Sequence, residues 1–377
     1  MKKILLFLIC ICLVLPVKAE EINLAPNSRS AIIIEASTGD ILYEKNSHEK
    51  LPPASMTKMM SMLLVLENID KGNLKWDDIV TASANASSMG GSQILLETGE
   101  EMTVYDLFKG VAVASGNDAV VALAEATAGT VDSFVEMMNK RASELGLNDT
   151  YFKNPHGLND TNHYSSAYDM AMIAKELSKH EKVFEFTSIY EDYLRQDTSR
   201  KLWLVNTNKL VRFYKGVDGF KTGYTKEALY CLTATIDKGF RIIAVVMGEP
   251  STELRNKEVS EMIDYAYAQY KLVKILNRED ELGEYMVEKG KNKFVTLVPS
   301  EDVTVLNKKL DSDKNYTYNV NVNKLVAPIN VSDKVGTIEV LEDGSVIKNI
   351  DITVKEDVKK ANIFELYFRY LKEIIAI

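Results

Sequence analysis

The chain has 377 residues, of which 46% are hydrophobic and 26% charged, and its formal net charge is −9. These values are typical of a folded protein, and the length predicts two domains. The acidic balance argues against nucleic acid as a partner.

The first 19 residues predict a cleavable signal peptide, and therefore export. A basic start precedes an apolar run over residues 4–15, and the segment ends in a small residue, Ala19. Cys10 and Cys12 lack the preceding small residue of a lipoprotein. Cleavage would leave Cys231 alone in an apolar stretch, which predicts a buried, unreactive thiol and excludes an intramolecular disulfide. Loss of three lysines would also take the net charge from −9 to −12.

Residues 20–272 predict an α+β domain. Apolar residues fill most positions of 55–69, which indicates a helix buried nearly all round. Strands at both ends with helices between them predict one sheet assembled from the two termini and covered by helical layers. The predicted elements are a hairpin over 29–46 that turns at Thr38–Asp40, the helix over 55–69, two helices interrupted at Ser115–Asn117, two further helices, two strands after Val217 and a helix that ends near 272.

The sequence pattern changes beyond this domain from mixed helices and strands to short strands. Residues 273–358 hold five short strand candidates at regular spacing, which predict a small all-β domain. Residues 359–377 predict an amphipathic helix with one narrow polar stripe, and four charges argue against a membrane span. A helix in the membrane interface is the favoured interpretation; a helix packed on the β domain or in a dimer contact is the alternative.

Three short motifs lie where the predicted elements change. Each alone is common: a helix cap with an exposed lysine, a turn between helices, and a turn before a strand. Together, in this order and in an exported protein, they predict a catalytic site. The motifs are Ser55-Met56-Thr57-Lys58 at the start of a helix, Ser115-Gly116-Asn117 between two helices, and Lys221-Thr222-Gly223 on the approach to a strand.

The residue types of these motifs suit acyl transfer. On one helix Ser55 and Lys58 share a face, so the amine can reach the hydroxyl and take its proton. Apolar neighbours and a second lysine would disfavour the ammonium form of Lys58. The other residues would serve the substrate: Ser115 relays a proton to the leaving amine, Asn117 holds an amide, Lys221 and Thr222 meet a carboxylate, Gly223 lets an extended peptide approach, and the backbone N–H groups of Ser55 and Tyr224 stabilise an oxyanion.

Other chemistries have weaker support. Four histidines are present, but no G-x-S-x-G elbow accompanies them, and His156 and His163 lack an organised third metal ligand. Glu144 and Asn148 match the E-x-x-x-N pattern of β-lactamases, yet they lie at a predicted exposed helix end. A non-catalytic cell-wall-binding protein would be favoured only if Ser55 or Lys58 were absent.

The motif set resembles that of penicillin-binding proteins and class A β-lactamases. Four further segments, residues 152–158, 163–171, 218–225 and 241–248, are similar to stretches of the D-alanyl-D-alanine carboxypeptidases, the low-molecular-weight penicillin-binding proteins. The similarity runs from about residue 23 to the end of the chain. It implies a β-lactamase/transpeptidase-like sheet, followed by the small all-β domain and an amphipathic helix that lies on the membrane.

The resemblance also implies the reaction and its residues. Ser55 would be the nucleophile and Lys58 the general base of a serine carboxypeptidase that trims the terminal D-alanine from peptidoglycan stem pentapeptides without a cofactor or metal. β-Lactams would acylate Ser55, and Arg255 would help to hold the substrate carboxylate. Leu229 departs from the family, which usually has glycine there, and this puts substrate preference in doubt. Endopeptidase or β-lactamase activity of the same fold stays open.

Overall fold

The computed structural model describes residues 22–311 and 314–375, so the expected signal peptide over residues 1–19 lies outside the described residues. The strands are β1 (Ser30–Glu35), β2 (Ile41–Lys45), β3 (Ile79–Thr81), β4 (Glu101–Thr103), β5 (Glu191–Leu194), β6 (Leu202–Val205), β7 (Val217–Thr225), β8 (Leu229–Asp237), β9 (Arg241–Glu249), β10 (Tyr270–Leu276), β11 (Gly283–Met286), β12 (Phe294–Pro299), β13 (Val303–Lys308), β14 (Tyr316–Val322), β15 (Gly336–Glu342) and β16 (Ser345–Val354).

The helices complete the architecture. They are α1 (Lys58–Asp70), α2 (Ala84–Ser87), α3 (Val104–Ala114), α4 (Asn117–Ala128), α5 (Val131–Glu144), α6 (Ala167–Leu177), α7 (Phe184–Thr187), α8 (Leu210–Phe213), α9 (Thr252–Gln269) and α10 (Ile363–Ile375), with short 3₁₀ turns at Ala54–Thr57 and Glu181–Val183.

One antiparallel sheet of five strands, in the order β2-β1-β9-β8-β7, organises the larger part of the chain. As predicted, the sheet joins the early hairpin to the late strands, with Ser30 opposite Met247. Strand β1 is buried along its whole length because helices cover both faces. Its alternate residues Ile32 and Ile34 pack with α1 and α6, whereas Ala31 and Ile33 pack with α9.

Helix α1 is buried nearly all round, as its sequence predicts. It begins three residues later than expected, because the backbone from Ala54 to Thr57 forms a 3₁₀ turn in which the amide of Met56 donates to the carbonyl of Pro53 at 3.2 Å. A 3₁₀ turn places residues i and i+3 directly above each other. Ser55 and Lys58 are therefore aligned more closely than on an α-helix.

A second, β-rich unit follows α9. Strands β11, β12, β16, β15 and β14 form one sheet, and β10 pairs with β13. The five predicted strand segments are all strands, but β10 and β11 were not predicted. Strand β10 continues directly from α9, and its first residues were expected to be helical. The expected domain boundary at residue 272 falls inside β10, and the division stays a prediction.

The last described element is α10, whose start is fixed by a reciprocal cap. The side chain of Asn362 accepts from the amides of Phe364 and Glu365, and the Glu365 carboxylate accepts from the amide of Asn362 at 2.8 Å. The apolar side chains Ile363, Phe364, Tyr367 and Phe368 are exposed. Within the described part of the chain, none of the helices has the length and apolar character needed to cross a membrane.

Candidate active site

The 3₁₀ turn that carries Ser55 packs closely against two glycines. A Cβ added to Gly157 would lie 1.9 Å from the carbonyl oxygen of Ala54, and one added to Gly223 would lie 2.7 Å from that of Pro53. Ala54 itself has a φ of 47°, a left-handed conformation that a non-glycine residue rarely adopts. The turn is thus held in a fixed, strained geometry that leaves Ser55 only half-buried.

Lys58 is completely buried, and its amine has three oxygen partners. Nζ donates to Oγ of Ser55 at 3.0 Å, to Oδ1 of Asn117 at 2.6 Å and to the carbonyl oxygen of His156 at 2.7 Å. Two of these acceptors, a carbonyl and an amide oxygen, have no proton to give. When the amine is neutral, its lone pair can therefore accept only from the hydroxyl of Ser55.

The surroundings favour that neutral form. Burial lowers the pKa of Lys58 well below its usual value, and the positive charge of Lys221 lowers it further; Asp118 opposes both. Burial also lowers the pKa of Lys221 to about 7, with a smaller contribution from Arg255. A lysine whose neutral form is favoured in this way can act as a general base toward the serine it contacts.

The break between α3 and α4 brings Asn117 to Lys58. Helix α3 ends at Ala114 and is followed by its C-cap Ser115, whose φ is 63°. The side-chain amide of Asn117 donates to the carbonyl of Gly90 at 2.6 Å, and the carboxylate of Asp118 accepts from the amides of Ile94 and Leu96 at 3.0 Å. Ser115 is buried, and among the described residues its hydroxyl forms no hydrogen bond. It thus keeps a free donor and acceptor.

The Lys221-Thr222-Gly223 motif lies inside strand β7, not ahead of a strand as expected. Within the described part of the chain, strand β7 pairs with β8 alone, so it is an edge of the sheet with an open side. Nζ of Lys221 donates to the carbonyl of Thr222 at 3.0 Å, and the hydroxyl of Thr222 bonds to that of Thr207 at 2.8 Å. An edge strand can accept an extended peptide through backbone hydrogen bonds.

The two outer residues of the expected site differ in exposure. Tyr224 is 54% exposed, and its ring lies 4.5 Å from that of Tyr230. Arg255, on α9, is buried, and its Nε and Nη2 both donate to Oδ1 of Asn256. Its charge acts on Lys221. The structure thus joins Ser55, Lys58 and Asn117 directly. Gly223 lies against the turn of Ser55, and the charge of Lys221 acts on Lys58. The other expected residues are one step further away: Ser115 on the helix break before Asn117, Thr222 and Tyr224 beside Gly223 on β7, and Arg255 through its charge on Lys221.

The backbone contribution of His156 was not predicted. The sequence of residues 152–158 indicated only a resemblance to a family. In the structure, the backbone carbonyl of His156 accepts a hydrogen bond from Lys58. The side chains of the histidines are engaged elsewhere. Nδ1 of His163 accepts from the amide of Lys153, and its Nε2 bonds to the Thr57 hydroxyl. Burial lowers the pKa of His156 to about 3 and that of His163 to about 4, so both imidazoles are neutral at neutral pH.

The alternative site residues lie apart from this centre. Glu144 is at the end of α5, where it pairs with Lys140 and Arg141. Cys231 is buried in β8, and burial raises the pKa of its thiol to about 11. Within residues 22–311 and 314–375, no cluster of three or more His, Cys, Asp and Glu side chains is arranged to hold a metal ion.

Leu229, the residue that departs from the family pattern, has the backbone conformation of a glycine. Its φ is 57°, where glycine carries no steric penalty. It opens β8 opposite Thr225, directly after the turn that joins β7 to β8. The chain thus keeps a glycine-type backbone with a leucine side chain, which is half-buried.

Comparisons with known proteins match both parts of the chain. Residues 17–251 match the Peptidase S11 family, D-alanyl-D-alanine carboxypeptidase, and residues 270–360 match the C-terminal domain of penicillin-binding protein 5. The D-alanyl-D-alanine carboxypeptidase DacF of Bacillus subtilis is 51% identical over 341 residues, 90% of this chain and 88% of that protein.

Solved structures give the same result. Penicillin-binding protein 5 of Haemophilus influenzae superimposes with a TM-score of 0.71 at 32% identity, over 89% of this chain and 98% of that one. Penicillin-binding protein D2 of Listeria monocytogenes, in its cefotaxime-bound form, superimposes with a TM-score of 0.57 at 30% identity, over 63% of this chain and 96% of that one. The chain belongs to the D-alanyl-D-alanine carboxypeptidase family of penicillin-binding proteins.

Proposed function

We propose that Ser55 is the nucleophile and Lys58 the general base of a D-alanyl-D-alanine carboxypeptidase reaction on peptidoglycan stem peptides. The observation that carries this proposal is the environment of the Lys58 amine. Of its three oxygen partners, only the Ser55 hydroxyl can give up a proton, so among them Ser55 is the one proton donor to Lys58. The catalytic unit is the domain over residues 20–272.

In the acylation step, Oγ of Ser55 attacks the carbonyl carbon of the penultimate D-alanine as its proton passes to Nζ of Lys58. The backbone N–H groups of Ser55 and Tyr224 are assigned to the oxyanion. When the C–N bond breaks, the amine of the terminal D-alanine takes a proton through Ser115, whose hydroxyl is otherwise unengaged. Lys58 supplies that proton and returns to the neutral amine.

In the deacylation step, a water molecule attacks the ester carbon of the acyl-enzyme. Lys58 takes one proton of this water and returns it to Oγ of Ser55 when the ester bond breaks. The shortened peptide leaves with a new carboxylate, and the enzyme is restored. Lys58 thus acts as base and then acid in each half of the reaction, which a buried amine with a lowered pKa can do.

Substrate recognition is assigned to β7 and α9. The terminal carboxylate of the peptide would meet the ammonium of Lys221, the hydroxyl of Thr222 and the guanidinium of Arg255. The extended peptide would lie along the open edge of β7, where Gly223 lets the turn that carries Ser55 approach the strand closely, and Asn117 would hold its amide. β-Lactams would occupy the same place and acylate Ser55 by opening of their ring amide, with no amine released.

The remaining parts of the chain would place this site at the cell wall. The β-rich domain over 273–358 would act as a spacer without chemistry. The α10 helix would lie in the membrane interface, because its exposed Phe364, Tyr367 and Phe368 face away from the protein. With the predicted signal peptide, this gives an exported enzyme held on the outer face of the cytoplasmic membrane.

The proposal is tested by D-alanine release from a pentapeptide muropeptide, together with labelling by a fluorescent penicillin. Ser55→Ala and Lys58→Ala should lose both activities. Ser61→Ala is the matched control, because Ser61 is a buried serine on α1, the helix of Lys58, and its hydroxyl donates to the carbonyl of Pro155. Labelling without D-alanine release would indicate a different acyl transfer, and a folded wild type with neither activity would favour the non-catalytic wall-binding alternative.

A further inference from the structure

A lysine-rich turn joins β11 to β12. Residues 287–293 read V-E-K-G-K-N-K, and Lys289, Lys291 and Lys293 are all exposed. Glu288, the acid of this turn, is already paired with Lys324 at 2.9 Å. In a chain of net charge −9, this turn is a local excess of positive charge.

The turn is tied to the segment that leads into α10. The amide of Lys291 donates to the carbonyl of Lys359 at 2.7 Å, and the amide of Ala361 donates to the carbonyl of Lys289 at 2.8 Å. A Cβ added to Gly290 would lie 2.7 Å from the carbonyl of Asn292, so the fit permits no side chain there. The pairing brings two further exposed lysines, at 359 and 360, beside the turn.

We name Lys289, Lys291, Lys359 and Lys360 the basic platform. Within residues 22–311 and 314–375, none of the four forms an ion pair. Two acids precede Lys359: Glu356 is exposed, and Asp357 accepts a hydrogen bond from the amide of Val331. The platform therefore presents more positive than negative charge to its surroundings.

The platform lies next to an exposed apolar surface. Nη2 of Arg369 donates to the carbonyl of Lys291 at 2.6 Å, which places α10 against the turn. Phe364 and Phe368 of this helix are 72% and 57% exposed. Met286 and Phe294, directly opposite each other in β11 and β12, flank the same turn and are also exposed.

Cations beside exposed aromatic side chains match a lipid bilayer with anionic headgroups. A soluble polyanion would be attracted by the lysines but would leave the apolar face of α10 without a partner. A single weak membrane signal gives only marginal binding, and a basic patch is an effective second signal. Each lysine near an anionic surface strengthens attachment, and the attraction is screened by salt within about 10 Å at 0.1 M.

We propose that the basic platform binds the anionic headgroups of a lipid bilayer while α10 places its apolar face in the interface. The proposal rests on the membrane association given under the proposed function and names its lipid class. The β-rich domain is then part of the anchor as well as a spacer. Its turn fixes both the charge at the surface and the direction in which α10 leaves the domain.

The test is co-sedimentation of the mature chain with vesicles of phosphatidylcholine, alone or mixed with phosphatidylglycerol. The variant K289Q/K291Q/K359Q/K360Q should lose on the order of 100-fold in partition onto the mixed vesicles and little on the neutral ones. The matched control is K75Q/K140Q/K215Q/K257Q, which removes the same charge from exposed positions of the larger domain. Added salt should weaken wild-type binding to the mixed vesicles.

Three results would overturn the proposal: equal binding of the platform variant and wild type, equal loss in the control variant, or no preference of wild type for the mixed vesicles. Phe364→Ser with Phe368→Ser should reduce binding to both kinds of vesicle. If it does not, the site is one for soluble polyanions. Penicillin labelling of every variant reports on the active site separately, so a failure of the catalytic proposal is distinguishable.

Discussion

Gly157 packs against Ala54 so closely that a Cβ at position 157 would lie 1.9 Å from the Ala54 carbonyl oxygen. Gly157 also has a φ of 86°. The loop that supplies the His156 carbonyl to Lys58 is therefore fitted directly onto the turn that carries Ser55. This contact sets the position of Lys58 relative to Ser55, the two residues to which the proposed function gives the roles of base and nucleophile.

We expect Gly157→Ala to destabilise the protein and to slow penicillin labelling. The left-handed backbone alone costs about 1–2 kcal/mol for alanine, and the overlap adds about 1–3 kcal/mol. Gly146→Ala is the control, because Gly146 has a φ of 71° and nothing within 4 Å of the added Cβ. Urea unfolding and labelling rates measure both effects. Equal losses in the two variants would show that the contact with Ala54 is unimportant.

The second prediction concerns the alkaline side of the pH profile. Lys221 has a pKa lowered to about 7, so its ammonium is lost as the pH rises through that value. Because a substrate carboxylate needs the charge, kcat/KM should fall above about pH 7. On the acid side, protonation of Lys58 should reduce the rate. Lys221→Arg should move the alkaline fall to higher pH, since guanidinium stays charged.

Lys109→Arg is the matched control for this experiment. Lys109 is another buried lysine, but it pairs with Asp106 at 3.2 Å and Asp192 at 3.1 Å, away from the site. Its variant should keep the alkaline fall of the wild type. An alkaline fall that stays in place in Lys221→Arg would remove Lys221 from carboxylate binding.

The third prediction follows from the φ of 57° at Leu229. In a strand, glycine is usually less stable than alanine by about 0.5–1 kcal/mol. At position 229 the order should reverse, because alanine keeps the left-handed penalty that glycine avoids. Leu229→Gly should therefore be more stable than Leu229→Ala by about 1 kcal/mol. Chemical denaturation gives the free energy of unfolding of both variants. At the neighbouring Tyr230 the usual order should hold, and the same order at both positions would contradict the assignment.

A buried carboxyl pair gives the fourth prediction. Glu249 is fully buried, and none of the described residues donates a hydrogen bond to either of its carboxylate oxygens or to Oε2 of Glu258. Burial, a hydrogen bond that only a protonated Glu249 carboxyl can donate to Glu258, and the charge of Glu258 raise the pKa of Glu249 to about 8. The folded protein therefore holds a proton that the unfolded chain has released above about pH 4.5.

The free energy of unfolding should consequently fall between about pH 4.5 and pH 8, by at most on the order of 1 kcal/mol per pH unit from this group. Glu249→Gln should remove that slope, because an amide does not titrate. Glu253→Gln, a change at an exposed glutamate of α9, is the control that should retain it. Thermal unfolding across this pH range gives the measurement, and a slope that persists in Glu249→Gln would exclude the buried pair as its source.

The sequence predicted the parts of the structure that side chains specify. The apolar stretch after Ser55 indicated a buried helix, and the five regular strand segments indicated the β-rich unit. Ser55, Lys58 and Asn117 were predicted at the site and lie in contact. Each of these depends on residue types at fixed spacing, which is what a sequence displays.

The parts that were not predicted depend on the backbone. The carbonyl of His156 contacts Lys58, but a carbonyl group is common to every residue and leaves no pattern. The 3₁₀ turn at Ala54–Thr57 is produced by packing against Gly157 and Gly223, which are distant in the chain. Strand β10 escaped prediction because α9 passes into it without a turn residue, and β11 has only four residues, mostly exposed.

The pairing of β1 with β9 has a consequence for how the enzyme is made. About two hundred residues separate these two partners, whereas the other pairings of the sheet join strands that follow each other in the chain, so the union of the two halves of the sheet should be the slow step of its assembly. During synthesis, the serine and its lysine emerge early, whereas the strand edge that would receive the peptide emerges late. Under the proposed function, a partly made chain would carry Ser55 and Lys58 without a place for substrate, and acyl transfer would begin only once the two ends of the sheet have met.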